Sequence, residues 1–223
     1  ALATRLLAMQ LAQDDPLFLS RILVLLPNRR SCRSLHGLLL EKNAGNPMVL
    51  PLIRPIGEVE EEALLFSAME SGAWDIPPPM EGMEQRILLT MLVQQWQASQ
   101  HAMPTGTGLS QASQLAEGLL HFLYEVEREG CQWDGLRHLV PGHYAEHWQM
   151  TLAFLDIVSQ HWPAIVEARG KTNPVNYRNR LIHRLADNWE SQPPGFPVIA
   201  AGSTGSIAAT RRLLRVVASL PEG

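Results

Sequence analysis

A loop of glycines and hydroxyl-bearing residues near the end of the sequence has the composition of a phosphate-binding site. The sequence GSTGS at 202–206 lies between the apolar run PVIAA and a helical pattern, which is where α/β proteins hold phosphate groups. A P-loop that grips a nucleotide also needs a lysine, and its partner strand ends in carboxylates that hold Mg²⁺. This strand ends instead in alanine and glycine. We therefore expect Ser203, Thr204 and Ser206 to accept a sugar-phosphate backbone without supporting ATP hydrolysis.

Three arginines near the start of the sequence form a second candidate site. In PNRRSCRSL at 27–35, Arg29, Arg30 and Arg33 follow the carboxyl end of the first predicted strand, where open α/β sheets bind their ligands. The planar guanidinium group matches phosphate oxygens, and the start of the following helix adds partial positive charge. An ordinary solvated helix start has the same composition. The pattern therefore leaves phosphate contact and plain exposure as alternatives.

The segment HYAEH offers a different chemistry. His143, Glu146 and His147 have the H-x-x-E-H order in which two imidazoles hold zinc and the glutamate acts as a base. A third ligand is not apparent downstream, so we favour a solvent-facing helix start over a zinc hydrolase. Cys32 and Cys131 lack CxxC or Cys/His spacing, which predicts buried thiols and neither a disulfide nor a zinc site.

The composition limits the class of protein. A chain of 223 residues with 46% hydrophobic content can bury a core as one large domain or two small ones. Its net charge of -4 argues against a uniformly basic nucleic-acid binder but allows a local basic stripe. Apolar runs such as ILVLLP are far shorter than a membrane span of roughly 20 residues. With no signal-peptide layout, the sequence predicts a cytoplasmic protein that does not bind membranes.

The ends of the sequence lead us to expect a longer protein. The first helical pattern, ALATRLLAMQLAQ, begins with neither a capping residue nor an initiator methionine. The last residues, SLPEG, have the composition of a turn that leads onward. We therefore interpret the sequence as a segment of a larger chain.

The elements that position these residues alternate between strand and helix at both ends of the chain. RILVLLP predicts a buried strand, the helix of 28–42 follows it, and MVLPLIRPI predicts a second strand parallel to the first. Strand signals vanish between 84 and 190, and helical periodicity replaces them until VIAA at 198–201. The first helical block has one predicted apolar face, made of Ile87, Leu88, Met91, Leu92 and Trp96.

These patterns predict an α/β architecture with mainly helical content. A parallel-sheet domain of residues 1–75 and 195–223 would be interrupted by an all-helical insertion of residues 84–190. A linker rich in proline and glycine, SGAWDIPPPMEGM, precedes the insertion.

Several long blocks resemble one protein family in order and spacing. The blocks are ILVLLPNRRSCRSLHGLLLEK, LPLIRPIGEVEEEALL, EHWQMTLAFLDIVSQHWPAIVEARGKTNPVNYRNRLI and PVIAAGSTGSIAATRRLLRVVASLPEG. With these blocks the chain resembles the N-terminal region of the AddB family in its alphaproteobacterial form, and the similarity covers essentially all of it. AddB proteins are subunits of the AddAB helicase-nucleases that repair DNA double-strand breaks. The resemblance implies a RecA-like helicase domain of the 1A type, with the P-loop NTPase fold, interrupted by a helical insertion of the 1B type.

The resemblance also implies roles for the candidate residues. In active relatives a segment of the type TNKAAREM contacts single-stranded DNA, and it falls on residues 28–35, which adds Asn28 to the three arginines. The loop at 202–206 lies near the place of the Asp-Glu pair of active helicases and departs from it. It would be an inactivated helicase motif, with Ser203, Thr204 and Ser206 left as DNA contacts.

The function implied is the guidance of single-stranded DNA, without ATP hydrolysis, from double-stranded ends during resection for homologous recombination. The implied partner is an AddA-like motor subunit in a heterodimer. No catalytic residue, cofactor or metal is expected in this segment, because the family's iron-sulfur cluster and nuclease metal belong to downstream domains. The alternative is a purely architectural module that binds only the partner subunit.

Overall fold

The chain forms mainly helices and one small parallel sheet. The computed structural model describes residues 1–13, 15–44, 46–56, 76–99, 108–131 and 154–221. The fold divides into two compact units. The first unit combines Ala1–Trp74 with Arg178–Gly223, and the second is Asp75–Tyr177.

The sheet of the first unit has three parallel strands. They are β1 (Leu23–Leu26), β2 (Leu52–Pro55) and β3 (Val198–Ala200), in the order β2-β1-β3. All four residues of β1 are buried, because β1 is the central strand and both of its faces are covered. The prediction that strands from the two ends of the chain share one parallel sheet is confirmed, since Leu23 pairs with Val198.

One face of the sheet packs against the first helices of the chain. Helix α1 (Leu2–Gln13) precedes β1, and helix α2 (Arg29–Lys42) forms the crossover from β1 to β2. Val24 and Leu26 point to this side, where they join a cluster with Leu6, Leu35 and Leu39. Leu35 and Leu39 of α2 are buried in this cluster, whereas Leu38 is exposed.

The opposite face of the sheet is covered by two later helices. Helix α6 (Pro174–Ser191) precedes β3, and helix α7 (Ala208–Ser219) follows it. Leu23 and Leu25 alternate to this side, in line with the two-residue period of a strand. They pack in one cluster with the buried face of these helices, which includes Leu185, Trp189, Leu213 and Val217. The result is a sheet between two helical layers.

Helix α6 also sets the boundary between the units. The sequence placed the end of the helical insertion at 190, within the last turn of this helix. The structure divides the chain between Tyr177 and Arg178, so most of α6 belongs with the sheet. The physical reason is its apolar face, in which Ile182, Leu185 and Trp189 are buried against the sheet.

The described residues of the second unit form helices and one isolated β-bridge, between Pro79 and Thr172. It contains α3 (Gly82–Ser99), α4 (Leu109–Glu129) and α5 (Trp162–Ala168), and a π-helical turn at Ile157–His161 leads into α5. Gly130 ends α4 in the left-handed conformation with φ 68°, as glycine commonly does at the end of a helix. The helix begins at Leu109, and Gly108 is its N-cap.

The apolar face predicted for α3 is wrong in part. Ile87 and Met91 are exposed, whereas Leu89 and Val93 are completely buried. Gln85 shares this buried face, because its amide donates to the Met80 carbonyl at 2.7 Å and its oxygen accepts from the Tyr124 hydroxyl at 3.3 Å. These bonds satisfy a polar group that would otherwise be costly to bury. Burial raises the pKa of Tyr124.

Leu213 provides a test of the packing beneath the sheet. The Leu213→Ala substitution is expected to lower the free energy of unfolding by about 2–5 kcal/mol, because the side chain is fully buried. Leu40→Ala in α2 is the control, since Leu40 is 54% exposed and its truncation should change stability by about 0.5 kcal/mol or less. Urea denaturation measures both. Equal effects would contradict the packing described for α7.

Candidate functional site

The two sequence-predicted groups lie on neighbouring loops at one edge of the sheet. Strands β1 and β3 are adjacent and parallel, so the loops that follow them leave the same carboxyl edge. A Cβ atom placed on Gly202, in the loop after β3, would lie 3.6 Å from the side chain of Pro27, in the loop after β1. The two loops are therefore in van der Waals reach of each other.

Glycines determine the shape of the loop after β3. Gly202 and Gly205 have φ angles of 73° and 63°, in the left-handed region that residues with a Cβ rarely adopt. A Cβ on Gly205 would also lie 3.3 Å from Leu214 Cδ1, so space as well as conformation favours glycine there. The Gly205 amide donates to the Ser203 hydroxyl oxygen at 3.4 Å. This loop is thus a folded turn held against α7.

Arg211 binds the last two residues of the same loop. Its Nε donates to the Gly205 carbonyl at 2.9 Å, and its Nη2 donates to the Ser206 carbonyl at 2.9 Å. A charged, two-pronged donor of this kind makes stronger bonds than a neutral one. Two acceptor groups of the loop are therefore occupied by a residue of the protein itself.

A small cleft opens beside this loop. Its volume is about 260 Å³, and it contains the three predicted hydroxyl residues of the loop, Ser203, Thr204 and Ser206. Thr210 in the first turn of α7 also lines the cleft, although only 8% of the residue is exposed. Arg178 and Asn179 of α6 complete its polar lining among the described residues.

Sequence reasoning missed Arg178 and Asn179 because nothing local distinguishes them. The pattern NYRNRLIHR gives α6 four cationic or imidazole side chains at helical spacing, all typical of a solvated face. Only the packing of α6 on the sheet brings Arg178 to the carboxyl edge. Thr210 was missed for a similar reason, since its burial depends on the position of α7.

The arginine group lies at the start of α2. Asn28 is the N-cap of this helix, and its side-chain oxygen accepts from the Ser31 amide at 2.9 Å and from the Ser31 hydroxyl at 3.1 Å. Capping therefore occupies the acceptor of Asn28 and leaves its amide nitrogen as the group for a ligand. Arg29, Arg30 and Arg33 are exposed on the first turns of α2, and Arg29 also makes an interaction within the protein.

The zinc alternative falls outside the described residues. His143, Glu146 and His147 all lie in the segment 132–153, about which the structure gives no placement. In the part of the chain that is described, no three histidine, cysteine, aspartate or glutamate residues are grouped as a metal would need. Cys32 is buried as predicted, but Cys131 is exposed, because it follows the end of α4 at Gly130.

The comparisons with known proteins do not assign this chain to a family. No protein-family model matches the chain, and no curated protein sequence matches it significantly. Within the described ranges, no helix combines the length and apolar character needed to cross a membrane.

Arg211 is expected to stabilise the loop after β3. Replacing Arg211 with methionine keeps the aliphatic stem and removes both bonds to the loop carbonyls. The expected result is a loss of about 1 kcal/mol of folding free energy and faster amide hydrogen exchange at 203–207. Arg215→Met, one turn later on α7 and also exposed, is the matched control. Identical exchange rates in the two variants would show that the guanidinium does not hold the loop.

Proposed function

We propose that this chain is an AddB-like, inactivated helicase region whose sheet edge guides single-stranded DNA without hydrolysing ATP. The fold on which the proposal depends is RecA-like, with a sheet unit of the 1A type and a helical unit of the 1B type. One observation carries the proposal: the loops after β1 and β3, which sequence reasoning selected independently, touch at the carboxyl edge of one sheet. The arginines of α2 and the hydroxyls of the loop after β3 can therefore contact phosphates of the same DNA strand.

The chemistry of this edge supports contact with a phosphate backbone. Arg29, Arg30 and Arg33 contribute positive charge from α2, and the loop hydroxyls contribute neutral donors. None of the described residues that line the cleft carries a carboxylate. Such groups position a strand by its phosphates and do not read its bases. The binding we propose is accordingly independent of sequence.

The same edge lacks groups that ATP hydrolysis needs. Phosphoryl transfer requires a lysine on the phosphates and acidic side chains that hold Mg²⁺ and position water. The loop after β3 supplies glycine, serine and threonine at the corresponding place. In the proposed complex an AddA-like motor subunit hydrolyses ATP, and this chain provides part of the path along which single-stranded DNA passes.

An architectural role is the second candidate, and exposed leucines favour it. Leu38 and Leu40 on α2 are 45% and 54% exposed, and Leu52 on β2 is 47% exposed. A contiguous apolar patch is typical of a surface that contacts a partner, and these leucines are the residues from which such a patch would be built. Under this reading the chain would bind the motor subunit and make no contact with DNA.

The first prediction concerns DNA affinity. Replacing Arg29, Arg30 and Arg33 together with alanine should weaken binding of single-stranded oligonucleotides to a similar extent for oligo-dT and oligo-dA. Each phosphate contact contributes about 0.7 to the log-log dependence of affinity on salt, so the slope should fall by about 1–2. Fluorescence-anisotropy titrations across a series of salt concentrations measure it, with the chain alone and in complex with an AddA-like motor subunit.

The control for this prediction removes the same formal charge elsewhere. Lys42, Arg184 and Arg215 are exposed on α2, α6 and α7, well away from the first turns of their helices. Their joint replacement with alanine should leave the salt slope unchanged. If the arginine variant keeps both the affinity and the slope of the unaltered protein in both preparations, the proposed DNA path is wrong and the architectural role is preferred.

The second prediction concerns nucleotide. The chain is expected to hydrolyse ATP no faster than a buffer blank, with or without single-stranded DNA, because it lacks the lysine and the acidic pair. A coupled assay of ADP release measures this. Turnover that survives repeated purification and rises when DNA is added would refute the proposal of an inactivated helicase region.

A further inference from the structure

The layer formed by helices α6 and α7 is basic, although the chain as a whole is acidic. Residues 178–219 contain six arginines, no lysine and two carboxylates, which gives this segment a net charge of +4. The whole chain has a net charge of -4, so the remaining residues together carry -8. Charge is therefore separated within the protein, and an anionic partner would be attracted to this layer.

One arginine occupies both carboxylates of the layer. Arg212 of α7 binds Asp187 of α6, and it binds Glu190 of the same helix at 3.0 Å. These pairs link α6 to α7 at the surface, where both carboxylate side chains are more than half exposed. Since residues 178–219 contain no other carboxylate, the layer has none left to neutralise its other arginines.

Three exposed arginines have no carboxylate partner among the described residues. Arg180 and Arg184 are four residues apart on the solvent side of α6, and Arg215 is exposed on α7. Arg211 adds a fourth positive charge, because the loop carbonyls that it binds are neutral. We call these four residues the basic face. An arginine can bind both oxygens of a carboxylate at once, so such a face matches acidic side chains.

We propose that the basic face binds an acidic surface of a partner protein. The inference rests on the proposed function for the identity of that partner, which is the motor subunit of the proposed complex. It goes beyond the proposed function by assigning a binding surface to α6 and α7.

The position of the basic face separates most of it from the proposed DNA path. That path follows the carboxyl edge of the sheet, from the start of α2 to the loop after β3. Arg215 follows the first residue of α7, Ala208, by about 10 Å along the helix. This distance is about the Debye length at 0.1 M salt, so the edge and the outer part of the face attract their partners largely independently.

The signs of the charges on this layer favour a protein over a nucleic acid. A phosphate backbone is negative at every step, so a strand laid along α6 and α7 would also meet the exposed carboxylates of Asp187 and Glu190. A protein surface can place acidic groups opposite the arginines and neutral or basic groups opposite these carboxylates. The mixed pattern therefore suits a protein partner.

Charge reversal on the basic face tests the inference. Arg184→Glu combined with Arg215→Glu should weaken binding to an AddA-like motor subunit about fivefold to tenfold at low salt, because two attractions become repulsions. The loss should shrink in about 0.5 M salt, where exposed charges are screened. Biolayer interferometry measures both. Arg184→Gln combined with Arg215→Gln should show a smaller loss in the same direction, and far-UV circular dichroism establishes that every variant is folded.

Arg5→Glu combined with Lys42→Glu is the matched control. Both residues are exposed, on α1 and α2 on the other side of the sheet, and this variant has the same net charge as the reversed basic face. It should bind the motor subunit as the unaltered chain does. Equal losses in the two variants, or no association between the unaltered chain and the motor subunit, would overturn the inference.

Titrations of the chain alone with oligo-dT test nucleic acid as the occupant of the basic face. The variant with Arg184→Glu and Arg215→Glu should bind oligo-dT as well as the matched control does. If it loses DNA affinity relative to the control but still binds the motor subunit normally, the face binds nucleic acid and the inference is wrong. The DNA path is tested separately by the arginine variant on α2, so its failure and the failure of the basic face give different results.

Discussion

Leu23 pairs with Val198 and Leu25 pairs with Ala200, and this parallel register is the constraint on which the rest of the first unit depends. It places the carboxyl ends of β1 and β3 side by side, although about 170 residues of chain lie between them. Without the pairing, the arginines of α2 and the hydroxyls of the loop after β3 would have no reason to be neighbours. Burial of all four β1 residues stabilises the arrangement, because each face of the strand contributes to a separate apolar cluster.

A few residues determine the conformation of the loop after β3. Left-handed glycines turn the backbone, and Arg211 binds two of its carbonyls from outside. The same guanidinium thereby occupies two acceptor groups of the loop. Arg212, the next residue, is directed to Asp187 and Glu190 of α6, and these contacts raise its pKa. The adjacent residues Arg211 and Arg212 therefore both bind groups of the protein itself, as does Arg178, which lines the cleft.

Local patterns in the sequence were sufficient to predict the strands, the crossover helix and the grouping of Arg29 with Ser203 at one sheet edge. Apolar runs bounded by turn residues specify strands, and right-handed crossovers specify parallel pairing. Three features could not be predicted in this way, because they depend on which helices pack together. They are the boundary between the two units within α6, the exposure of Ile87 and the burial of Gln85. Arg178 and Thr210 belong to the same class. Their place in the cleft is set by the tertiary position of α6 and α7, and their own sequence neighbourhoods carry no signal for it.

The distance in sequence between β1 and β3 has a consequence for the synthesis of the protein. At about 5–20 residues per second, a ribosome needs on the order of 10–30 s to proceed from one strand to the other. During that interval β1 can pair with β2 but lacks its second neighbour, so Leu23 and Leu25 stay uncovered on the face that α6 and α7 later bury. Until α6 and α7 have been synthesised, the nascent chain therefore presents Leu23 and Leu25 on an uncovered face of the sheet.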